Sequence, residues 1–314
     1  MAAPPAPLTG RRANLGAAAV LVGYLLLAPP LYLLGPFALL TILARPRTLR
    51  EVAWLVASLA GISTVFSVGP ALGPRLLVLS GVVVTLVFVL LSLRSRGLVL
   101  HRALLAIALA TAGIAIWVQA QGMGLAGVES ALTDMLRSSY QALVELAGTD
   151  GPRRLEMERF VAPFITAAPD LARMLPGIMA LQALLGLVLA WSWHHKISPR
   201  PFGTAPGRFR DFRFNDHLVW GAIFTLGAVL VQLPPPVAVL GVNLLIVWVG
   251  LYAARGLAVA TAFLAPAPAL LKLLTAAVAT LLLPLATGAA VALGLADTWL
   301  NIRGKLPPKA PEGA

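Results

Sequence analysis

The sequence predicts an all-α fold class: a polytopic transmembrane helix bundle with proline-broken helices and an amphipathic surface insert. Three observations support this fold class. Of the 314 residues, 59% are hydrophobic and only 11% are charged, whereas a soluble domain carries roughly 25% charged residues. The apolar residues form about eight or nine segments, most of them near the ~20 residues that span a bilayer. Basic residues cluster between these segments, as they do in loops that flank transmembrane helices.

Composition also excludes several classes of protein. A soluble enzyme or a disordered chain would expose more charge than 24 basic and 12 acidic residues provide. Cysteine is absent, which excludes disulfides, thiolate metal sites and a cysteine nucleophile. The net charge of +12 would suggest nucleic acid as the partner of a soluble protein. In a membrane chain this charge suits the positive-inside rule, so we expect the lipid bilayer, and no nucleic acid, as partner.

We expect the chain to divide into a disordered N-terminal tail (residues 1–14), a transmembrane domain (15–300) and a basic, proline-rich tail (301–314). Within the transmembrane domain, residues 122–170 form an extramembrane insert. The excess of Arg over Lys and the many Ala, Leu and Gly residues are typical of a GC-rich bacterial genome. We therefore expect a multi-pass protein of the bacterial inner membrane with its N-terminus in the cytoplasm.

The first apolar run, residues 15–43, is longer than one span needs and is interrupted at Pro29-Pro30 and Gly35-Pro36. It predicts either one kinked helix or a hairpin of two half-helices. The pair Arg11-Arg12 before it is typical of a retained start-transfer anchor, or of a twin-arginine export signal. We favour the anchor, because no further motif accompanies the arginine pair.

Three predicted spans follow, over residues 52–68, 76–93 and 104–121. A Gly- and Pro-rich turn separates the first two spans. The segment 94–102 between the last two is rich in Arg and His, so we expect it in the cytoplasm.

The insert at 122–170 contains most of the acidic residues. Its apolar residues recur with the spacing of one helical face, which predicts two amphipathic helices at the membrane surface. Asp150-Gly151-Pro152 predicts the start of the second helix, because an acid and an early proline suit a helix N-terminus. The insert serves either as an interfacial anchor or as a lid over a substrate site.

The second half contains a span at 171–193, capped by Asp170 and kinked at Pro176. The most basic loop, residues 194–217, follows it and is expected in the cytoplasm. Further spans are predicted at 218–233 and 237–254, and the last apolar stretch, 270–296, contains Pro284. The basic tail favours a cytoplasmic C-terminus, so one segment, 15–43 or 256–268, is expected to be re-entrant.

Motifs for catalysis or cofactor binding are not convincing. Gly122, Gly124 and Gly127 match the spacing GxGxxG, but a transmembrane helix precedes them instead of the strand that a dinucleotide site needs. His194 and His195 are adjacent, so their side chains would point about 100° apart on a helix and would not chelate a metal. We therefore expect no enzyme activity and no cofactor.

Polar side chains at membrane depth are the candidates for function, because hydrocarbon makes them costly. Amides there either bond between helices or line a solute site. Arg255 either reaches the interface or meets an anionic group in a cavity. Asn215 or Asp216 is expected to cap a helix N-terminus, and Asp297 ends the final helix. The candidates for solute-lining or functional roles are Arg255, Asn243, Gln119, Asn215, Asp216 and Asp297; Gln121, Gln182 and Gln232 are further polar residues in spans.

The segment 209–220 (FRDFRFNDHLVW), Asn243, Gly256 and the segment 294–303 (GLADTWLNIR) resemble motifs of the YybS-like family of bacterial polytopic membrane proteins. The layout of that family is similar to that of the substrate-binding S components of energy-coupling-factor vitamin transporters. The resemblance implies a helical bundle that lacks its own ATPase and has a membrane-embedded coupling subunit as partner.

Two hypotheses of function follow. The first is a solute-binding or transport subunit, in which a small solute binds among broken helices near Arg255, Asn243 and Gln119. The second is a non-catalytic scaffold or assembly factor that docks partners through the basic loop 194–217 and the insert 122–170. A polar cavity among the helices would favour transport, and a packed interior would favour the scaffold.

Overall fold

The computed structural model describes residues 22–26, 28–66, 71–94, 97–148, 151–231 and 233–305. Throughout these ranges the chain forms only helices, turns and loops, with no strand, which confirms the all-α fold class. Two compact units contain the chain, residues 1–206 and 207–314. The predicted tail at 1–14, Asp150, Gln232 and most of the predicted tail at 301–314 lie outside the described residues.

The described part of the N-terminal unit contains a short helical segment at residues 22–26 and six longer helices. These are α1 (Leu31–Leu43), α2 (Leu49–Phe66), α3 (Leu72–Arg94), α4 (Val99–Ala120), α5 (Leu125–Leu146) and α6 (Pro152–Ile197). Helix α1 packs against α2, α3 and α6, and its Leu33, Phe37 and Leu40 are fully buried. The core of this unit is therefore built around a helix too short to cross a bilayer.

The C-terminal unit contains four longer helices in its described part: α7 (Leu218–Leu230), α8 (Pro235–Phe263), α9 (Ala269–Leu281) and α10 (Leu283–Leu300). Short 3₁₀ turns lie at Phe209–Asp211 and Ile302–Lys305. Helix α8 packs mainly against α10 and also against α7 and both 3₁₀ turns. Among the described helices, α9 packs mainly against α10, and its leucines are exposed.

Five helices of the described chain are long and apolar enough to cross a membrane: α3, α4, α6, α8 and α10. Helices α1, α7 and α9 are apolar but shorter. Helix α2, at the position of the predicted span 52–68, is not among these five, and residues 67–68 of that span lie outside the described chain. The helices thus support a polytopic helical membrane protein.

The first apolar run is interrupted at only one of its two predicted breaks. Helix α1 begins directly after Pro29-Pro30, as expected, but Gly35 and Pro36 lie inside it. The predicted break at Gly35-Pro36 is therefore wrong. A proline removes one intrahelical hydrogen bond, and here the burial of almost every side chain of α1 outweighs that loss.

Helix α6 is one continuous helix of 46 residues, which makes it about 69 Å long at 1.5 Å per residue. It begins at Gly151-Pro152 as predicted, but the expected cap at Asp170 is wrong because this residue lies inside the helix. Pro163, Pro169 and Pro176 are also internal. Since the helix is about twice the ~30 Å thickness of the hydrocarbon core, part of it extends beyond a bilayer.

The last apolar stretch forms two helices instead of one. Helix α9 ends at Leu281 and α10 begins at Leu283, with Pro284 in its first turn. A proline is tolerated in a first turn because the amide it replaces has no intrahelical partner. Pro284 therefore lies directly after the break between the two helices.

Candidate functional site

A buried ion pair lies at the centre of the C-terminal unit. Arg255 of α8 and Asp297 of α10 are each 1% exposed. The Arg255 Nε donates to Oδ2 of Asp297 at 3.0 Å, and its Nη2 donates to the Asp297 carbonyl oxygen at 3.3 Å. The third nitrogen, Nη1, lies 2.6 Å from Oδ1 of Asp216, whose side chain is 62% exposed. All three nitrogens of this buried guanidinium therefore have acceptors, as a buried charge requires.

A second arginine extends this network to the loop before α7. The Nη2 of Arg303 lies 2.8 Å from Oδ2 of Asp297, and its backbone amide donates to Oδ1. Its Nη1 donates to the carbonyl oxygens of Arg210 and Phe212, at 2.9 Å each. The Asp297 carboxylate thus joins two guanidinium groups and connects α8, α10 and the loop.

Small residues let α8 and α10 approach closely enough for this pairing. A Cβ at Gly256 would collide with the backbone of Ala290, and a Cβ at Gly294 would collide with the carbonyl oxygen of Tyr252. Glycine and alanine allow close approach of transmembrane helices. Both glycines lie within one turn of the ion pair, so close backbone packing and charge pairing support each other.

An aromatic residue covers the network from the loop. Phe214 is buried, lies 5.4 Å from the guanidinium carbon of Arg255 and packs edge-on against Tyr252 at 5.3 Å. The cation therefore contacts an aromatic ring as well as carboxylates. Phe214, Gly256 and Gly294 all belong to the motifs that carried the family resemblance, and the structure brings them together around one ion pair.

The six candidate residues have different positions. Arg255, Asp216 and Asp297 come together, and Arg255 meets anionic groups of its own chain. Asn243 donates to the carbonyl oxygen of Val239 on its own helix, and Gln119 is exposed at the end of α4.

The predicted helix cap at the start of α7 is absent. The N-cap residue is His217, and no side chain caps it. Asn215 accepts a hydrogen bond from the His217 amide at 3.0 Å, which is an Asx turn. Capping by Asp216 is therefore wrong, because its carboxylate binds Arg255 instead.

A second polar cluster lies in the N-terminal unit, where α2 begins and α6 ends. Thr48 and Glu51 form a capping box: the Glu51 amide donates to the Thr48 hydroxyl, and the Thr48 amide donates to the Glu51 carboxylate. The Ser198 hydroxyl also donates to Glu51, at 2.9 Å. Burial alone would raise the pKa of Glu51, but hydrogen bonds from the Arg47 and Thr48 amides and from Ser198 hold it below its ordinary value.

The loop after α6 is fixed onto the end of that helix. The Trp191 indole Nε1 donates to the carbonyl oxygen of Thr204 at 3.2 Å, and the Phe202 amide donates to Nε2 of His194 at 3.3 Å. Gly203 has φ +65° and lies against the Trp191 ring. The guanidinium of Arg102, from α4, stacks over the same ring at 4.3 Å. Trp191 thus holds both the loop and a buried cation.

Sequence reasoning did not identify Glu51 or Arg102 as important. The capping box had a visible signal, the spacing T-x-x-E at residues 48–51. Arg102 was counted among loop charges, and nothing in the local sequence indicates its contact with Trp191.

In the described ranges no group of three or more His, Asp or Glu side chains is placed to hold a metal ion. The rings of His194 and His195 lie 5.8 Å apart and almost perpendicular, as for neighbours on one helix.

An apolar groove of about 500 Å³ lies between α9 and α10. None of the six candidate residues lines it. Its lining residues are Leu271, Leu274, Thr275, Val278, Ala279, Leu282, Leu285, Ala286 and Ala289.

Long apolar helices and a buried, internally neutralised ion network define a polytopic helical membrane protein. The chain belongs to the family described as predicted membrane protein (DUF2232), whose family model matches residues 16–298. No curated protein and no solved structure matches the chain.

Proposed function

We propose that the protein is a non-catalytic membrane scaffold that docks an acidic partner on a basic surface of its C-terminal unit. This surface, the 208–213 surface, is formed by the side chains of Arg208, Phe209, Arg210 and Arg213. Arg208, Phe209 and Arg213 are exposed. We also propose that this surface lies on the cytoplasmic side of the bacterial inner membrane, because basic loops are retained there.

The contacts that fix the loop before α7 to neighbouring helix ends support this proposal. Arg303 binds the carbonyl oxygens of Arg210 and Phe212, and Arg255 binds Asp216. Arg213 also donates to the side chain of Asn301 at 2.7 Å. A loop fixed to helix ends presents its exposed charges in a defined arrangement, which reduces the entropic cost of binding a partner.

The hydrogen bonds and ion pairs of the candidate polar residues also favour a scaffold over a solute site. Three of the six candidates neutralise one another, and Asn243 and Asn215 bond to nearby backbone. Buried charges consumed by an internal network are not available to a solute. Exposed arginines are instead suited to carboxylate-rich surfaces, because a guanidinium binds carboxylates in bidentate geometry.

Crosslinking in membranes tests this role. Simultaneous replacement of Arg208, Arg210 and Arg213 by Ala should abolish the crosslinked partner bands, while the protein level in the membrane is unchanged. Replacement of the exposed Arg45, Arg47 and Arg75 by Ala removes equal charge from outside the loop 194–217 and the insert 122–170 and should leave the bands intact. Bands that survive the first triple variant, or that disappear equally in both, would contradict the scaffold.

A transport subunit is the second candidate, and the interruption before α1 favours it. The helical segment 22–26 and α1 are separated at Pro29-Pro30, and α1 is buried inside its unit. Broken helices inside a bundle expose backbone groups that bind solutes in transporters. The resemblance to the YybS-like family and to energy-coupling-factor S components also supports this candidate.

This second candidate has its own experiment. The melting temperature of the purified protein is measured with a panel of vitamins and small metabolites, and the purified material is examined for an associated ATPase. A saturable rise with one solute supports transport. No rise, together with no ATPase, rejects it and leaves the scaffold.

A further inference from the structure

The side chain of Arg102 is a buried cation without an ionic partner. It is 5% exposed, and its Nε has no hydrogen-bond partner. No carboxylate of the described chain lies within ion-pair distance of it. Arg255, by contrast, has two aspartates. A buried charge normally requires a counter-charge, because desolvation is costly.

The position of Arg102 in its helix strengthens this argument. It is in the first turn of α4, whose N-cap has no side-chain hydrogen bond. The amides of a helix N-terminus carry partial positive charge, so a cation there is unfavourable and an anion is favoured. An anion bound at this position would be stabilised by both the guanidinium and the helix.

The helices that pack against α4 also contain buried polar groups without partners. His194 is fully buried and accepts a hydrogen bond at Nε2, so its neutral ring carries the proton on Nδ1, and this donor has no partner. Its ring lies 6.5 Å from that of Trp191, which Arg102 covers. The Oγ of Ser92, near the end of α3, is also buried without a partner. These unpaired donors belong to α3 and α6, which both contact α4. Unpaired donors on helices that pack against a buried cation are suited to an oxyanion.

The surrounding charge favours the same type of ligand. Arg94, His101, Lys196 and Arg200 lie within a few residues of the helix ends that meet at Trp191. The one acid described at these helix ends, Glu51, accepts hydrogen bonds from Thr48 and Ser198 instead of pairing with Arg102. The local potential is therefore positive.

We propose that Arg102, stacked on Trp191, binds a phosphate oxyanion at the basic end of the N-terminal unit. The proposal goes beyond the scaffold role and uses none of its residues. Because α4 is long and apolar enough to cross a membrane, its first turn lies at the depth of lipid head groups. A phospholipid head group and free phosphate share this chemistry, and the experiment distinguishes them.

The experiment measures thermal unfolding of the full-length protein in neutral detergent. It is titrated separately with phosphatidylglycerol, with phosphatidylcholine and with inorganic phosphate. A saturable rise in melting temperature with either lipid but not with inorganic phosphate assigns the head group as the ligand. A saturable rise with inorganic phosphate assigns the free anion. The absence of a saturable rise with all three ligands overturns the proposal.

Variants test whether the rise in melting temperature depends on Arg102. Arg102→Gln should raise the apparent Kd by about tenfold or more, since it removes a charge-assisted contact. Arg75→Gln removes an exposed charge at the opposite end of α3 and should leave the Kd unchanged. Equal effects of the two variants overturn the proposal.

A conservative variant covers the case in which Arg102→Gln does not fold. Arg102→Lys retains the charge over Trp191 but cannot form two parallel bonds to phosphate. Its apparent Kd should rise by about threefold or more, and an unchanged Kd overturns the proposal.

Discussion

Arg255 and Asp297 are joined by two hydrogen bonds, from Nε to the carboxylate at 3.0 Å and from Nη2 to the backbone carbonyl at 3.3 Å. Asp297 is therefore bound through its side chain and its main chain by one guanidinium. It also receives Arg303, so its single negative charge lies between two cations. Removal of this one carboxylate would leave two buried arginines with only the partly exposed Asp216.

The first prediction concerns the unbalanced positive charge that loss of the Asp297 carboxylate would leave. Asp297→Asn should destabilise the protein by about 3–5 kcal/mol, because it leaves buried charge uncompensated. Asp216→Asn removes the exposed acid and should cost about 1 kcal/mol or less, since solvent screens that pair. Reversible unfolding in mixed micelles measures both changes. Equal losses in the two variants would contradict the central role of Asp297.

The second prediction concerns the contact between α8 and α10. Gly256→Ala places a methyl group against the backbone of Ala290, and backbone atoms cannot move aside as a side chain can. We expect a loss of about 1–3 kcal/mol from overpacking. Gly288→Ala on α10 is the matched control, because a Cβ there meets nothing within 4 Å. The control should be neutral or slightly stabilising through helix propensity.

The same unfolding measurement decides this prediction. If Gly256→Ala and Gly288→Ala have the same stability, the close approach of the two helices is not what holds the ion pair.

Parts of the site could be predicted from the sequence. A polar side chain in an apolar segment is costly to place in hydrocarbon, so such a residue can be identified as a candidate without knowledge of the fold. Arg255 was recognised in this way, whereas Asp216 and Asp297 were noted as residues at helix ends. Their pairing could not be predicted, since Asp297 is 42 residues from Arg255 in the chain. Local spacing carries no information on contacts between different helices.

The fold could likewise be predicted only in part. Apolar runs predicted the helices, because a span needs about 20 such residues. The errors at Pro36 and Asp170 arose from local signals for helix ends. Those signals describe the free-energy cost that a proline or an unfavourable residue has in an isolated helix. In the folded chain, the tertiary packing of α1 and the length of α6 outweigh that cost.

The third prediction concerns acid stability and Glu51. Since the pKa of Glu51 is lowered on folding, its charged form stabilises the folded state above the unfolded pKa. This contribution is lost as pH falls from about 4.5, the ordinary pKa of the group, through the lower folded value. Glu51→Gln should therefore reduce the loss of melting temperature that the protein shows below about pH 4.5.

The control for Glu51 is an acid outside such a cluster. Glu156→Gln, at an exposed position of α6, should leave the acid dependence unchanged. A curve for Glu51→Gln that follows the unmodified protein over the whole acid range would show that the capping box contributes nothing to it.

The fourth prediction tests the continuity of α6. The chain has no native cysteine, so spin labels can be attached at Phe160→Cys and Leu185→Cys, both exposed positions of α6. A continuous helix places these residues about 35 Å apart, from 1.5 Å per residue with slight bending at the prolines. Pulsed electron paramagnetic resonance in lipid nanodiscs measures this distance. The pair Met174→Cys and Leu185→Cys lies on the C-terminal side of Asp170 and should give about 16 Å whether or not the helix is continuous. A main distance well below about 25 Å for the first pair, with the control unchanged, would place a helix break near Asp170 and restore a separate surface helix.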